Sequence, residues 1–174
     1  MQKILVVVDM QNDFIDGALG TTEAAEIVKT VAKRVNEFEG RIYFTRDTHG
    51  QNYRETKEGR ELPIPHCIKD SYGWQISSLI DTSSATAIID KPTFGSTELV
   101  EMMKSENERE EIESITVIGV CTDICVISNV MLLKAYFPEI EIIVDAQCCA
   151  GVTAKSHKTA ISAMKMCQVT VENE

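Results

Sequence analysis

Apolar positions along the chain fall into two patterns that alternate. Uninterrupted runs occupy residues 3–8 (KILVVV), 41–45 (RIYFT), 85–90 (ATAIID), 115–118 (ITVI) and 140–145 (IEIIVD), with a shorter one at 167–171 (CQVTV). Runs of this kind, without polar alternation, are expected of strands covered on both faces. Between them the apolar spacing becomes helical. Thr21 or Thr22 caps a helix that reaches about Phe38, with Ala24, Ile27, Val28, Val31 and Val35 on one face, and Gly40 stops it. Ser96 caps a second helix over 98–104, residues 125–136 read as a third, and 154–166 as a fourth that carries His157 as a packing or capping residue. A short helix is expected within 71–80, a solvated helix end or loop in the charged run 106–113, and a loop at 145–151, where Cys148 and Cys149 pack as small residues.

Strand and helix alternate throughout, which predicts an α/β fold. The expected architecture is a three-layer α/β/α, Rossmann-like arrangement around a mostly parallel sheet of about six strands. No linker or repeat interrupts it, so residues 1–174 read as one domain.

Composition narrows the partners more than the fold. An apolar content of 44% and a charged content of 25% are those of an ordinary globular protein. The net charge of -10 argues against nucleic acid or an anionic membrane surface. The opening run MQKILVVVDM is too short to span a membrane and lacks a small-residue cleavage site, so a cytoplasmic protein is expected. Six cysteines without the dense spacing of a small secreted scaffold suggest reduced thiols.

Candidate chemistry gathers where strands end. Asp9 follows the first strand directly, at the end where open α/β sheets bind ligands, and is a candidate acid or base; it could equally accept hydrogen bonds from loop backbone. Lys91 follows the third strand, either as a cation of the same site or as a solvated strand-end charge. Cys125 sits where the fourth strand passes through Gly119 to Asp123 into a helix, a place where unpaired backbone N–H groups stabilise a thiolate and hold an oxyanion. Its alternatives are a small buried apolar residue, or a metal or redox pair with Cys121 in a non-catalytic sensor. The segment 46–74 has no convincing periodicity and is long for a plain connection. It holds Asp47, His49 and His66, which read either as a mixed nitrogen and oxygen metal site with Glu58 or Glu61 as a fourth ligand, or as solvated surface residues.

The ordered set VVDMQNDF, FTRDTH, PHC, DKPTFGS and GVCTDICV resembles the isochorismatase-like cysteine hydrolases, and within them the nicotinamidases, over nearly the whole chain. That resemblance implies a catalytic triad of Asp9, Lys91 and Cys125. It implies a cis peptide between Val120 and Cys121 and an oxyanion hole from the backbone N–H groups of Cys121 and Cys125. It further implies a divalent metal that binds the pyridine nitrogen of the substrate, held by Asp47, His49 and His66 with Glu58 as a further ligand. Zinc is the first expectation, with manganese or iron compatible with the donors. Phe14 and Val120 are expected against the substrate. The implied reaction is hydrolysis of nicotinamide to nicotinate and ammonia through a thioester, a step of NAD salvage, by a homo-oligomer whose partner is a small-molecule amide. The alternative within the family is a different small amide, ureido or carbamoyl substrate, handled without a metal.

Overall fold

The two most uniformly buried strands, β1 (Gln2–Val8) and β4 (Ile112–Val120), lie side by side at the centre of the sheet. Their apolar runs predicted this position, since a central parallel strand has no face turned to water. The computed structural model describes all of residues 1–174. Outward from β1 lie β2 (Arg41–Asp47) and β3 (Ala85–Lys91), and outward from β4 lie β5 (Glu141–Ala150) and β6 (Thr170–Glu172), giving the order β3-β2-β1-β4-β5-β6. Every neighbouring pair is parallel.

Parallel strands need crossovers, and these supply the helices. The one-turn α1 (Asn12–Ile15) and the long α2 (Thr22–Glu37) join β1 to β2. Thr21 caps α2 by accepting the Ala24 N–H, and Ala24, Val28, Val31 and Val35 form its buried stripe. A short helix α3 (Lys57–Glu61) lies in the β2 to β3 connection; α4 (Thr97–Arg109), α5 (Ile127–Tyr136) and α6 (Ala154–Met166) serve the remaining crossovers. The chain steps one way from β1 to β2 and the other way from β4 to β5, so right-handed crossovers place α2 and α5 on opposite faces. Helices α4, α5 and α6 touch in that order and make one layer. One core of 38 buried residues joins the layers, and all six cysteines are free thiols. No helix is long and apolar enough to cross a membrane.

Several expectations are corrected. Residues 145–150 are strand rather than loop. Between the pairs Val117 with Val144 and Gly119 with Cys149, β5 advances five positions while β4 advances two, so a bulge masks the strand pattern. The charged run is not solvated throughout: α4 continues to Arg109, β4 starts at Ile112, and Glu106 is buried against Arg41. No helix forms within 71–80; turns held by Gln11 and Asn12 replace it, and order in the 46–74 segment comes from a 3-10 turn (Tyr53–Glu55), α3 and a bridge between His49 and Ile68. The last strand begins at Thr170, not 167.

Candidate active site

The strand order reverses between β1 and β4, and the crevice beyond the C-terminal ends of two such strands is where open α/β sheets bind ligands. Asp9 leaves β1 there and Cys121 leaves β4. The two ends approach closely because position 119 is glycine: its φ is +117°, and a Cβ would lie 2.1 Å from the Val8 carbonyl oxygen.

Asp9 is fully buried with φ 51°, a left-handed conformation that aspartate tolerates better than most residues. Thr45 of β2 donates its hydroxyl to Oδ1 at 2.6 Å. Lys91 Nζ, from the end of β3, is 2.6 Å from Oδ2. The same ammonium donates to the Thr93 carbonyl at 3.1 Å, meets Cys125 Sγ at 3.5 Å and lies 3.8 Å from Asp47 Oδ1. Burial raises the Asp9 carboxyl above its ordinary range against the pull of Lys91. Burial also opposes the charge on Lys91, but Asp9, Cys125 and Asp47 outweigh it and hold the ammonium protonated. The Cys125 thiol is pushed well above its usual value by burial and then by the negative charge of Asp9, with Lys91 opposing. The arrangement is therefore a thiol and a carboxyl whose ionisation burial opposes, both beside a fixed cation. Cys121 has no such cation among its influences, and burial followed by Asp123 pushes its thiol up to about 12.

The peptide between Val120 and Cys121 is cis. Residues Thr122–Val126 then form a single π-helical turn that runs into α5. Within it the Cys121 carbonyl accepts the N–H groups of Ile124 and Val126, each at 3.0 Å, and the Cys125 N–H between them is not a donor to it.

A second group forms beside the first. Ligand atoms of Asp47, His49, Glu58 and His66 all lie within 4.8 Å of one another. Asp47 Oδ2 is 2.9 Å from His49 Nε2 and 3.4 Å from His66 Nε2, and Glu58 Oε1 is 3.6 and 3.7 Å from the same two nitrogens. Metal bonds of about 2.1 Å put tetrahedral ligand atoms about 3.4 Å apart, so this spacing fits a divalent cation. His66 Nδ1 is bonded to the Ile64 carbonyl at 2.9 Å, which leaves Nε2 as a lone-pair donor facing the group. The buried Asp47 Oδ1 has no hydrogen-bond partner. Of the two glutamates open as a fourth ligand, Glu58 joins the group and Glu61 does not.

One cavity of about 190 Å³ is lined by Cys125 of the first group and by Asp47, Glu58 and His66 of the second, while Asp9, Lys91 and His49 lie behind its lining. That is room for about six waters' worth of liquid, or one small ring with a substituent. Cys121 and Cys125 border it, as do Asp47, Glu58, His66 and Glu61; Phe14, Leu19, Leu62, Phe94 and Ile124 supply apolar walls. Val120, expected against the substrate, is fully buried and does not line the cavity. His157 packs behind the turn, its Nδ1 2.8 Å from Thr122 Oγ1.

Residues that periodicity and spacing did not single out support this layout. The buried Gln11 side chain donates to the carbonyls of Asp47 and Trp74 and accepts the Asp47 N–H at 2.7 Å, pinning the backbone of Asp47. Tyr53, also buried, lies against both histidine rings at centroid distances of 4.7 and 5.0 Å and donates to the Leu62 carbonyl. Asp13 accepts the N–H of Cys67 at 2.7 Å, next to His66. The polar cluster around Phe14 was a visible signal for Gln11 and Asp13; nothing local marks Tyr53.

The sequence profile of the isochorismatase domain matches residues 3–174. A nicotinamidase of Escherichia coli (strain K12) is 25% identical over 197 residues, covering 94% of this chain and 90% of the relative. Among solved structures, a pyrazinamidase of Pyrococcus horikoshii in complex with zinc superposes with a TM-score of 0.84 at 24% identity over 98% of both chains. A protein from L. infantum, PnC1, in complex with nicotinate, superposes at 0.85 and 21% identity over 98% of this chain and 91% of its own. At these identities the superpositions establish the fold.

Proposed function

The chain belongs to the isochorismatase family, and from that premise we propose that it is an amide hydrolase using Cys125 to convert nicotinamide to nicotinate and ammonia. The observation that carries the reading is the single small cavity lined at once by the thiol and by the candidate metal ligands.

Asp9 is the base. Its carboxylate, paired with Lys91 at 2.6 Å and with Thr45 at 2.6 Å, takes the proton of the Cys125 thiol. Lys91, 3.5 Å from Sγ, stabilises the thiolate as it forms. The sulfur attacks the amide carbon, and the backbone N–H groups of Cys121 and Cys125 receive the developing oxyanion. Asp9 returns its proton to the leaving nitrogen, ammonia departs, and a thioester links Cys125 to the acyl group. Asp9 then takes a proton from a water that attacks the thioester and passes it to the departing sulfur, which restores the thiol and the Asp9 carboxylate, and the acid product leaves and loses its own proton to solvent. Asp47, His49, Glu58 and His66 would hold a divalent ion, zinc by preference, and that ion when bound supplies a Lewis-acidic anchor for the ring nitrogen. Phe14 and Phe94 confine the ring from the apolar walls.

The test is ammonia release from nicotinamide by the reduced protein, beside Cys125→Ala and a chelator-stripped sample. The wild type is expected to turn over. Cys125→Ala should lose on the order of 10⁴-fold or more in kcat, as removal of a nucleophile does elsewhere. Stripping should raise KM and be reversed by added zinc. A wild type that releases no ammonia would overturn the nicotinamide assignment.

A further inference from the structure

Between the lysine and the thiol lies a short turn, 92–96, of which the proposed mechanism uses only Phe94, as a wall of the cavity. One residue fastens it. Asn129 lies on α5, one turn after Cys125, and is 1% exposed. Its Oδ1 accepts the Ser96 N–H at 2.9 Å; its Nδ2 donates to the Phe94 carbonyl at 3.1 Å and to the Cys125 carbonyl at 2.8 Å. Both N–H bonds of the amide are therefore engaged and its oxygen holds one backbone N–H, three bonds in all to protein backbone. The other end of the turn holds the cation, since the Thr93 carbonyl accepts from Lys91 Nζ at 3.1 Å and the Thr93 hydroxyl closes onto Gly95 at 2.7 Å. The turn is also seated tightly on α5: a Cβ at Gly95 would lie 2.6 Å from Leu132 Cδ1 and 3.2 Å from the Ser128 carbonyl oxygen.

We infer that Asn129 is a positioning residue that sets the distance between Lys91 and Cys125 by clamping the 92–96 turn to the backbone of the nucleophile. The inference rests on the reading of Cys125 as nucleophile and Lys91 as its cation. Asparagine is a mediocre helix former, and one side chain bonded to three backbone groups from two segments does more than helix propensity requires. The clamp also fixes the Phe94 carbonyl, and with it the residue that walls the cavity. Through one amide, the nucleophile, its cation and one wall of the cavity are tied to a common frame.

The test compares Asn129→Ala and Asn129→Ser with Leu133→Ala, a core truncation on the same helix far from the reacting atoms in role. Serine is the decisive variant, because its hydroxyl can still donate to the carbonyl four residues back but cannot reach the turn. Three readouts are taken at pH 7: the rate of Cys125 alkylation by iodoacetamide, identified by mass spectrometry; kcat and KM for nicotinamide; and Tm. Both Asn129 variants should lower the alkylation rate and kcat by about tenfold, the equivalent of one hydrogen bond's worth of positioning, with kcat falling by more than KM rises. Leu133→Ala should lower Tm at least as far while leaving alkylation and kcat within about twofold, since it opens a cavity without touching the clamp. Wild-type alkylation and kcat in Asn129→Ser would overturn the inference, as would equal losses in Leu133→Ala. If the wild type releases no ammonia from nicotinamide while the Asn129 variants still slow alkylation, the substrate reading falls and the clamp stands.

Discussion

Two ion pairs are buried at opposite ends of the same sheet. At the N-terminal edge, Glu106 of α4 pairs with Arg41 at the start of β2, and its other oxygen meets Arg109 at 3.3 Å. At the C-terminal edge, Asp9 pairs with Lys91. The first pair keeps a foot in water, since the Arg41 side chain is 38% exposed; both members of the second are 1% exposed or less. A wholly buried pair contributes little net stability, because desolvation offsets most of the attraction. What the arrangement gives Lys91 and Asp9 is chemical: neighbouring acidic groups keep the cation charged despite its burial, and burial raises the carboxyl towards the range where it can carry a proton, both against a thiol. The comparison teaches that burial and pairing alone do not mark a site. The mark is a third reactive group within reach and a cavity onto which it opens.

The strongest way to break that contrast is Asp9→Asn. The amide has nearly the shape of the carboxylate but takes no proton, so kcat/KM should fall roughly 10²- to 10⁴-fold, the range for loss of a general base. Retention of more than about a tenth of the activity would remove Asp9 from the role of base.

A smaller effect sharpens the same point. The base must be ionised, so activity is present above the pKa of Asp9 in the folded enzyme and is lost as pH falls through it. Burial raises that pKa above the ordinary 3.8, and Lys91 opposes the rise. The acid limb of kcat/KM is therefore expected above 3.8, and in any residual activity of Lys91→Met it should move further up, because the opposing cation is gone. An acid limb that ignores Lys91→Met would show that another group sets it.

The two ends of the sheet also differ in how far the sequence reveals them. The strands leading to Asp9 and Cys125 are legible because a doubly covered parallel strand is an uninterrupted apolar run, and the polar residue that ends it stands at the functional edge; β3, which leads to Lys91, lies at the sheet edge with Ile88 exposed and is legible by its short apolar run alone. His49 and His66 are legible as a pair in one long aperiodic segment. The N-terminal edge is opaque. Glu106 reads as one charge in a charged run, and only folding brings Arg41, 65 positions away, against it. The bulge in β5 hides 145–150 because it breaks the run that identifies a strand. Asn129 is opaque for the same reason as Glu106, since two of its three partners lie in the separate 92–96 turn; Tyr53 is opaque although its partners His49, Leu62 and His66 share its segment, because that segment has no regular spacing to encode them. Residues that act through backbone groups leave no motif.

Glu106→Gln is the mildest change and completes the comparison. The amide keeps an oxygen for Arg41 or Arg109 but loses the charge, and Arg41 can turn its exposed side to water. The cost should be about 1–2 kcal/mol, less than for a fully buried pair whose partner has no such escape. For a chain of 174 residues that corresponds to a fall in Tm of roughly 2–8 °C. The kcat for nicotinamide and the rate of Cys125 alkylation should stay at wild-type values, because β2 transmits to the site only through its far end, where Thr45 and Asp47 are held by Asp9 and Gln11. A drop in kcat out of proportion to the drop in Tm would mean that the N-terminal pair governs the position of β2, and the division between a pair that closes the sheet and a pair that does chemistry would fail.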